Sequence, residues 1–577
     1  MREYSVPVLV DVPASASLTD TVFERAEREP GVVIMRRKVG GDWPAVTASE
    51  FRDQVVEVAK GLIAAGIEHG DRVALMSRTR YEWTLVDYAI WSVGAVTVPI
   101  YETSSVEQVR WILSDSEAKA VFVEQDSHEE TVREAAPELE TVWRVEGSPP
   151  AADVTAADVD ERRARVVSSD LATVVYTSGT TGRPKGCRIT HDNLLFTALN
   201  VLRGPLEPLF GRKDPAALLF LPLAHIFARM IQVVLVEAGA IMAHTPNMKN
   251  VAPDLQDFKP TFLLGVPRVF EKVYNGAEQK AIAGGKGKIF ARAVDVAVAW
   301  SRAESSGGAP LGLRLQRALF DRLVYSKLRA ATGGRLSAAV CGGSALGERL
   351  GHFFKGVGIE VFEGYGLTET SAPCSVNMPG ANKIGTVGKP LPGVTLRIGD
   401  EGEILAKGRN VFPGYWKNDA ATAEVIDADG WFHTGDLGEL DSDGYLRITG
   451  RKKEILVTAA GKNVAPAPLE DALRAHPLIS QAMVIGDGRP FVAALITLDP
   501  EALPSGESRT DPKVLAQIQE AVDRANLSVS RPEQIKKFTI LDGDITEESG
   551  HLTPTLKVKR GIVMKDFAKE IDELYGG

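Results

Sequence analysis

The feature that most constrains the fold is a repeated alternation of helical periods with short runs of β-branched residues. Between Phe51 and about Val123 the chain reads "FRDQVVEVAKGLIAAGI", "RVALMS", "WTLVDYAIWSVGAVTVPI" and "VRWILSDSEAKAVFVE". Such alternation predicts a parallel sheet covered by helices. A second set follows, in which the strands "LATVVYTS", "AALLFLPL" and "TFLLGVP" accompany the helix "THDNLLFTALNVL". We therefore expect an α/β protein with two α/β subdomains.

The rest of the chain predicts three further regions. Residues 274–334 are rich in Ala, Arg and Lys at helical spacing and contain "AGGKGK", which indicates helical hairpins with one mobile loop. In residues 385–450, short strands separated by Gly and Asp-Gly turns predict a small β-rich subdomain. After Arg451, the helix "LEDALRAHP" and the strands "QAMVIG" and "FVAALITL" predict a small α+β domain. The expected division is a large N-terminal domain, 1–452, and a C-terminal domain, 453–577.

Composition narrows the class of protein. Hydrophobic residues make up 44% and charged residues 25%, which is typical of soluble globular proteins. The net charge of −10 gives no reason to expect nucleic-acid binding. Three scattered cysteines, Cys187, Cys341 and Cys374, do not make a disulfide framework or a zinc site and favour a reducing cytoplasm. Charges and a proline interrupt the most apolar stretch, so attachment to a membrane would be peripheral.

The strongest motif is "YTSGTTGRPKG", which follows a predicted strand and precedes a helix with Thr190 as its expected N-cap. Its glycines leave room for backbone N–H groups and hydroxyls to close around phosphate oxygens, and its lysine adds a positive charge. It is not a Walker A loop, because the lysine lies between proline and glycine. A flexible surface turn is the alternative interpretation. The candidate phosphate-binding residues are Thr177, Ser178, Gly179, Thr180, Thr181, Gly182 and Lys185.

This motif resembles one in the adenylate-forming superfamily, which includes acyl-CoA synthetases, luciferases and the adenylation domains of peptide synthetases. "EGYGLTET" is similar to the adenine and metal segment of that family. The resemblance implies that Tyr365 stacks on adenine, that Thr368 contacts phosphate and that Glu369, with Thr177, holds Mg²⁺. "CGGSALG" resembles the segment that passes along adenine and the acyl group. The further nucleotide-binding candidates in these two segments are Gly342, Gly343, Ser344, Glu363, Gly364 and Gly366.

Three later motifs extend the resemblance. "TGD" and "TGR" imply that Asp436 accepts the ribose hydroxyls and that Arg451 binds the nucleotide beside it. "LTPTLKVKR" resembles the last family motif and implies that Lys557 is the catalytic lysine, with Lys559 as a nearby competitor. In the family the C-terminal domain swings between two reaction steps. That implies a pivot at Lys453 and a thiol tunnel beside Gly461.

"LPLAHIFARM" contributes His225, which resembles the family histidine near the substrate carboxylate. Outside this context, a histidine in an apolar run is more often a core residue. Together with "VPRVFEKVY", "AGKNVAPAPLE" and "LTPTLKVKR", the segment is close to bacterial long-chain fatty-acyl-CoA synthetases.

The implied activity is formation of an acyl-adenylate from a long-chain fatty acid and ATP with Mg²⁺, followed by thioester formation with CoA. One alternative is delivery of the acyl group to a free-standing carrier protein, and another is a sensor of acyl groups or nucleotides without catalysis. The implied partners are small molecules and not nucleic acid. The expected location is the cytoplasm, and transient peripheral contact with the inner membrane face is left open.

Overall fold

The computed structural model describes residues 1–577 except 148, 152, 178–182, 212, 501, 504–507, 554–556 and 577. The strands of this part of the chain are β1 (Glu3–Ser5), β2 (Val33–Arg36), β3 (Ala45–Thr47), β4 (Arg72–Met76), β5 (Val96–Ile100), β6 (Ala120–Val123), β7 (Val142–Arg144), β8 (Leu171–Thr177), β9 (Lys185–Thr190), β10 (Ala216–Leu219), β11 (Ile241–His244), β12 (Phe262–Gly265), β13 (Ala338–Cys341), β14 (Glu360–Leu367), β15 (Ala372–Val376), β16 (Lys389–Pro390), β17 (Val394–Ile398), β18 (Glu403–Gly408), β19 (Phe432–Leu440), β20 (Leu446–Arg451), β21 (Leu456–Val457), β22 (Asn463–Val464), β23 (Ile479–Ile485), β24 (Val492–Leu498) and β25 (Ile535–Ile540).

The α-helices are α1 (Asp20–Arg28), α2 (Ala48–Ala64), α3 (Tyr81–Ser92), α4 (Val106–Ser116), α5 (Asp126–Ala135), α6 (Ala156–Arg163), α7 (His191–Leu202), α8 (Glu207–Phe210), α9 (Ile226–Ala238), α10 (Val251–Phe258), α11 (Pro267–Ala283), α12 (Gly287–Ser305), α13 (Leu311–Phe320), α14 (Ser326–Ala331), α15 (Glu348–Val357), α16 (Asp419–Val425), α17 (Pro466–Arg474), α18 (Pro512–Asn526), α19 (Arg560–Asp566) and α20 (Ala568–Tyr575). The expected N-cap is confirmed, since the Thr190 side chain accepts a hydrogen bond from Asn193 N–H at the start of α7. None of the described helices has the length and apolar character needed to cross a bilayer.

Two large sheets form the N-terminal part. The first has the order β7-β6-β4-β5-β8-β9 and is parallel except for β9. The second has the order β16-β15-β14-β13-β12-β10-β11-β2-β3 and is antiparallel only at its two ends. Helices pack on both sheets, so the predicted pair of α/β subdomains is confirmed.

One assignment of a strand to a subdomain was wrong. The strand "LATVVYTS" was placed with the second set, but β8 lies beside β5 in the first sheet. Side-chain hydrogen bonds favour this position, because Trp91 Nε1 donates to Ala172 O at 2.8 Å and Thr173 Oγ1 donates to Thr97 O at 2.7 Å. Order along the chain does not reveal such contacts.

A five-stranded antiparallel sheet, β1-β17-β18-β19-β20, forms the predicted β-rich subdomain. Its edge strand β1 comes from the N-terminus and was not predicted as part of it. The C-terminal region contains the sheet β23-β24-β25 with α17 and α18, and a short β21–β22 hairpin. Its apolar clusters contain only residues from Leu456 onwards, which matches the predicted α+β character.

A buried ion pair joins helices of the two large subdomains. Arg229 on α9 and Asp87 on α3 are both fully buried, and Arg229 Nε donates to Asp87 Oδ2 at 2.9 Å. Thr97 Oγ1 donates to the other carboxylate oxygen at 2.7 Å. The guanidinium carbon lies 5.3 and 5.1 Å from the ring centres of Trp83 and Trp91. These contacts fix the start of α9, one turn before Arg229.

We expect Arg229→Met to lower the free energy of unfolding by about 3–5 kcal/mol, because it leaves the Asp87 carboxylate buried without its cation. Urea unfolding followed by tryptophan fluorescence measures the change. The matched control is Arg165→Met, whose ion pair with Glu161 is exposed, and it should change stability by less than about 1 kcal/mol. The double variant Arg229→Met/Asp87→Leu should recover much of the loss. An unchanged midpoint for Arg229→Met would contradict this account.

Candidate active site

The candidate site lies where the β8–β9 hairpin, the end of β14, the β19–β20 pair and a C-terminal segment meet. Thr177 and Lys185 are opposite one another at the end of the hairpin where β8 leads into the connection to β9. The Lys185 ammonium lies 5.0 Å from the ring centre of Tyr415. The predicted phosphate-binding residues between these two strands, Ser178, Gly179, Thr180, Thr181 and Gly182, lie outside the described residues.

Tyr415 connects this hairpin to Glu369. The segment that contains Tyr415 runs beside β9, with Trp416 N–H donating to Gly186 O at 2.7 Å. The Tyr415 hydroxyl donates to Glu369 Oε1 at 2.8 Å. Burial, and then the negative charge of Glu369, raise the pKa of Tyr415, so the hydroxyl remains a donor. Sequence reasoning missed Tyr415, because a tyrosine 46 positions away from its partner carries no local signal.

Glu369 and Thr368 form a short 3₁₀ turn after β14. Thr368 is buried and Glu369 is half-buried. Phe412 N–H donates to Glu369 O at 2.8 Å, which anchors the turn to the segment before Tyr415. The carboxylate of Glu369 is thereby held near Lys185 through Tyr415.

Asp436 is a second carboxylate of the site, and it is nearly fully buried. It faces Arg451 across β19 and β20, with Arg451 Nε 3.0 Å from Asp436 Oδ1. The Tyr365 hydroxyl donates to Asp436 Oδ2 at 2.7 Å. Burial, and then Asp436, raise the pKa of Tyr365, so the hydroxyl keeps its proton. Each carboxylate oxygen has capacity for a further hydrogen bond.

At two positions of the site, neighbouring atoms leave room only for a glycine. A Cβ on Gly342 would lie 2.9 Å from the Phe227 ring, and one on Gly366 would lie 1.7 Å from Ala372 O. By contrast, Gly343 and Ser344 are exposed beside Gly342. The Phe227 ring therefore leaves no room for a side chain at Gly342, and the Ala372 carbonyl leaves none at Gly366.

Glu363 and Gly364 lie on β14 just before Tyr365. Glu363 Oε1 accepts a hydrogen bond from Leu346 N–H at 2.8 Å. Burial raises the pKa of Glu363 to about 7. In this structure the Glu363 carboxyl therefore supports the loop after Ser344.

His225 caps the N-terminus of α9, where its Nδ1 accepts a hydrogen bond from Phe227 N–H at 3.2 Å. Burial, and then the positive charge of Lys557, lower the pKa of His225 to about 3. The imidazole is therefore neutral at physiological pH. Because Nδ1 accepts, the proton of the neutral ring resides on Nε2.

Lys557 comes from the C-terminal region and reaches the same cleft. Lys557 is exposed on the surface of the cleft. Its pKa is nevertheless lowered, first because nearby protein groups displace part of its hydration and then because of the positive charge of Arg451. The negative charges of Asp436, Glu454 and Glu369 partly offset this change by raising the pKa of Lys557. The pKa of Lys557 therefore responds to the charges of Arg451, Asp436 and Glu369, and that of His225 responds to the charge of Lys557.

Lys453 and Gly461 do not join this cluster of charges. Lys453 is exposed in a 3₁₀ turn directly after β20. Gly461 has a φ of +75° in the turn between β21 and β22, with no atom within 4 Å of a Cβ built there. Their predicted roles concern a second step and stay predictions.

Arg268, on α11, helps to hold the C-terminal region in this position. Its Nη2 donates to Ser480 Oγ at 3.2 Å, and the same nitrogen lies 3.6 Å from Asp499. Ser480 Oγ in turn donates to Asp544 at 2.6 Å, and Asp544 accepts a hydrogen bond from Ile545 N–H at 2.8 Å. This chain of contacts ends at Asp544, thirteen positions before Lys557 in the chain.

Comparisons with known proteins match both parts of the chain. The family model described as AMP-binding enzyme matches residues 22–416, and that described as AMP-binding enzyme C-terminal domain matches residues 453–577. The chain is 51% identical to "Long-chain-fatty-acid--CoA ligase FadD15" of Mycobacterium tuberculosis, over 100% of both chains. It is 32% identical to "Long-chain-fatty-acid--CoA ligase ACSBG2" of Xenopus laevis, over 94% of this chain and 81% of that one.

Among solved structures, the anthranilate CoA ligase AuaEII in complex with anthranoyl-AMP superposes with a TM-score of 0.73. The superposition covers 96% of this chain and 98% of that chain at 21% identity. At this identity the likeness shows the fold.

We expect Arg268→Gln to loosen the docking of the C-terminal region, because a hydrogen bond to a charged group contributes about 1.5–3 kcal/mol. Hydrogen exchange should become about ten-fold faster, or more, at backbone amides that the docked interface protects. Arg292→Gln is the matched control, since Arg292 contacts Gln316 within the helical region. Equal exchange in both variants would show that Arg268 does not hold this interface.

Proposed function

The chain belongs to the AMP-binding enzyme family, and we propose that it activates a long-chain fatty acid with ATP and transfers the acyl group to CoA. The observation that carries the chemistry is a pair of oriented carboxylates: Asp436 is held by Tyr365 and Arg451, and Glu369 is held by Tyr415. The charges of Asp436, Glu369 and Arg451 act on the pKa of Lys557, whose own charge acts on that of His225. The fatty substrate and the CoA acceptor are supported by 51% identity, over the full length, to a relative named as a long-chain-fatty-acid ligase of CoA.

In the first step, the carboxylate of the fatty acid attacks the α-phosphate of ATP, pyrophosphate leaves, and an acyl-adenylate forms. The Lys557 ammonium would lie between the attacking carboxylate and the α-phosphate and stabilise the charge that spreads in the transition state. The neutral His225 would donate its Nε2 hydrogen to the acid and orient it. A cationic histidine would compete with Lys557, so its low pKa suits this role.

The nucleotide would be held along the strands that converge on this site. Asp436 has acceptor capacity left for the two ribose hydroxyls although Tyr365 and Arg451 already bond to it. The Tyr365 ring, fixed by its hydroxyl, would offer a face to adenine beside the Gly342–Ser344 loop. Lys185 and the hydroxyl of Thr177 would contact the distal phosphates from the end of the hairpin.

Glu369, with Thr177 and the phosphate oxygens, would hold Mg²⁺, which supplies neutralising charge on the phosphates when bound. No cluster of three or more metal-binding side chains occurs within the described residues. A single carboxylate completed by phosphate and water is a ligand set that Mg²⁺ commonly takes. The residues present therefore fit this ion. Tyr415 would orient the Glu369 carboxylate toward it.

The second step is attack of the CoA thiol on the acyl carbon of the adenylate, which releases AMP. We propose that the C-terminal region turns about Lys453 between the steps. Gly461, which has open space around it, would then leave room for the pantetheine arm.

The free, buried state of Cys187, Cys341 and Cys374 supports a cytoplasmic setting.

The test of this function is AMP formation from ATP and Mg²⁺ across fatty acids of increasing chain length, each with and without CoA. We expect turnover that depends on CoA and is highest with long chains. Adenylate formation without CoA turnover would instead indicate transfer to a carrier protein, which a holo carrier protein as acceptor would reveal. Absence of activity with every fatty acid would overturn the proposed substrate.

We expect Lys557→Ala to slow adenylate formation by about 10²- to 10³-fold, because it removes a preorganised positive charge from the transition state. Thioester formation from presynthesised acyl-adenylate and CoA should change by only a few-fold. Single-turnover assays of each half-reaction measure both effects. Lys559→Ala is the matched control and should leave adenylate formation nearly unchanged. Equal loss of both half-reactions in Lys557→Ala would contradict the assigned role.

A further inference from the structure

A helix on the surface of the protein exposes a row of leucines. Helix α13 buries none of its side chains. Leu311, Leu315 and Leu319 are 73%, 63% and 56% exposed, and their spacing of four residues places them along one side of the helix. Leu323, in the π-helical turn that follows, is 46% exposed. We call these four residues the leucine stripe. On a soluble protein such a stripe ordinarily faces the core.

The opposite side of this helical stretch is fixed to the protein. Arg317 Nε donates to Gly356 O at 2.9 Å, and its guanidinium carbon lies 4.1 Å from the centre of the Trp300 ring. The Tyr325 hydroxyl donates to Ala293 O at 2.6 Å. The leucine stripe is therefore held outward by contacts on the other side of the helix.

Basic residues lie beside the leucine stripe. Residues 275–334 contain ten Lys and Arg and four Asp and Glu, in a chain whose net charge is −10. Arg314, Arg322 and Lys327 are exposed on the same helical stretch. Exposed leucines with exposed basic residues beside them are typical of helices that lie in the interface of an anionic bilayer.

The neighbouring turn between α11 and α12 has the same character. Ile282 and Ile289 are 63% and 47% exposed. Lys286 and Lys288 lie between them and are also exposed. The combination of apolar and basic side chains therefore extends beyond one helix.

We propose that the leucine stripe and this neighbouring turn dock the protein on the surface of an anionic phospholipid bilayer. The apolar side chains would enter the headgroup region and the basic residues would contact the lipid phosphates. A second copy of the chain fits less well, because a two-fold symmetric contact would place two positively charged surfaces against each other. Charge complementarity thus favours a lipid surface.

The benefit of docking rests on the proposed function, since long-chain fatty acids partition into bilayers. Helix α13 is joined to α15 by the hydrogen bond from Arg317 to Gly356 O. Helix α12 also packs on α15, where Phe290 lies 6.5 Å from Phe353, ring centre to ring centre. Helix α15 follows directly after the loop that contains Gly342 and Ser344. Helix α15 therefore connects the docking surface to the loop that contains Gly342 and Ser344.

The test is co-sedimentation of the full chain with vesicles of phosphatidylcholine, with and without phosphatidylglycerol. We expect binding that requires the anionic lipid and weakens with salt. Leu315→Gln/Leu319→Gln should lower the partition coefficient by about ten-fold or more, because two apolar side chains no longer enter the interface. The matched control is Leu527→Gln, which changes a leucine that is 85% exposed in the C-terminal region.

Charge-reversal variants test the contribution of the basic residues separately. Lys286→Glu/Lys288→Glu should reduce the preference for phosphatidylglycerol, whereas Lys513→Glu, an exposed lysine on α18, should not. Vesicle binding that is absent, or unchanged by both pairs of substitutions, would overturn the proposal. Loss of self-association in the leucine variant without loss of vesicle binding would assign the surface to a second copy and would also overturn it.

Ligase assays separate this inference from the proposed function. With a fatty acid supplied in detergent micelles, the leucine variant should match the unmodified protein, and with the acid supplied in vesicles it should be slower. Vesicle binding by a protein without ligase activity would support docking and refute the proposed function. Ligase activity without vesicle binding would support the proposed function and refute docking.

Discussion

The buried ion pair between Arg229 and Asp87 is the interaction on which the arrangement of the large N-terminal part depends. Two charges removed from water are tolerated only when each finds hydrogen-bonding partners in a fixed geometry. Thr97 supplies one of these partners from β5, and Trp83 and Trp91 flank the guanidinium. The pair thereby fixes α9 of one subdomain against α3 of the other. His225, the N-cap of α9, is held in the cleft as a consequence.

The candidate site is assembled from side chains that neutralise or orient each other. Tyr365 and Arg451 hold Asp436, and Tyr415 holds Glu369. These contacts restrict the motion of both carboxylates before any ligand arrives, which is the arrangement that electrostatic catalysis requires. Lys557 is the exception, because its position depends on contacts such as that of Arg268 with the C-terminal region.

Sequence patterns predicted the elements well because local periodicity reports which residues are buried. The α/β alternation, the β-rich segment and the α+β C-terminal region are all present, and Thr190 caps its helix as expected. The sheet that receives each strand was harder to predict. β8 joins the first sheet, and β1 crosses from the N-terminus to pair with β17. Both pairings depend on contacts between residues distant in the chain, for which a single sequence has no signal.

The sequence by itself determined the family to which the chain belongs, and with it the prediction of which side chains form the candidate site. The resemblance of its motifs to those of the adenylate-forming superfamily pointed to Lys557, His225, Glu369, Asp436 and Arg451 as the site residues. Only the tertiary structure decided their environment. The neutral state of His225, the place of Tyr415 beside Glu369 and the docking of the C-terminal region arise from burial and from contacts across hundreds of residues. The same holds for the exposed leucine stripe, since periodicity reveals an apolar side of a helix but not whether the protein covers it.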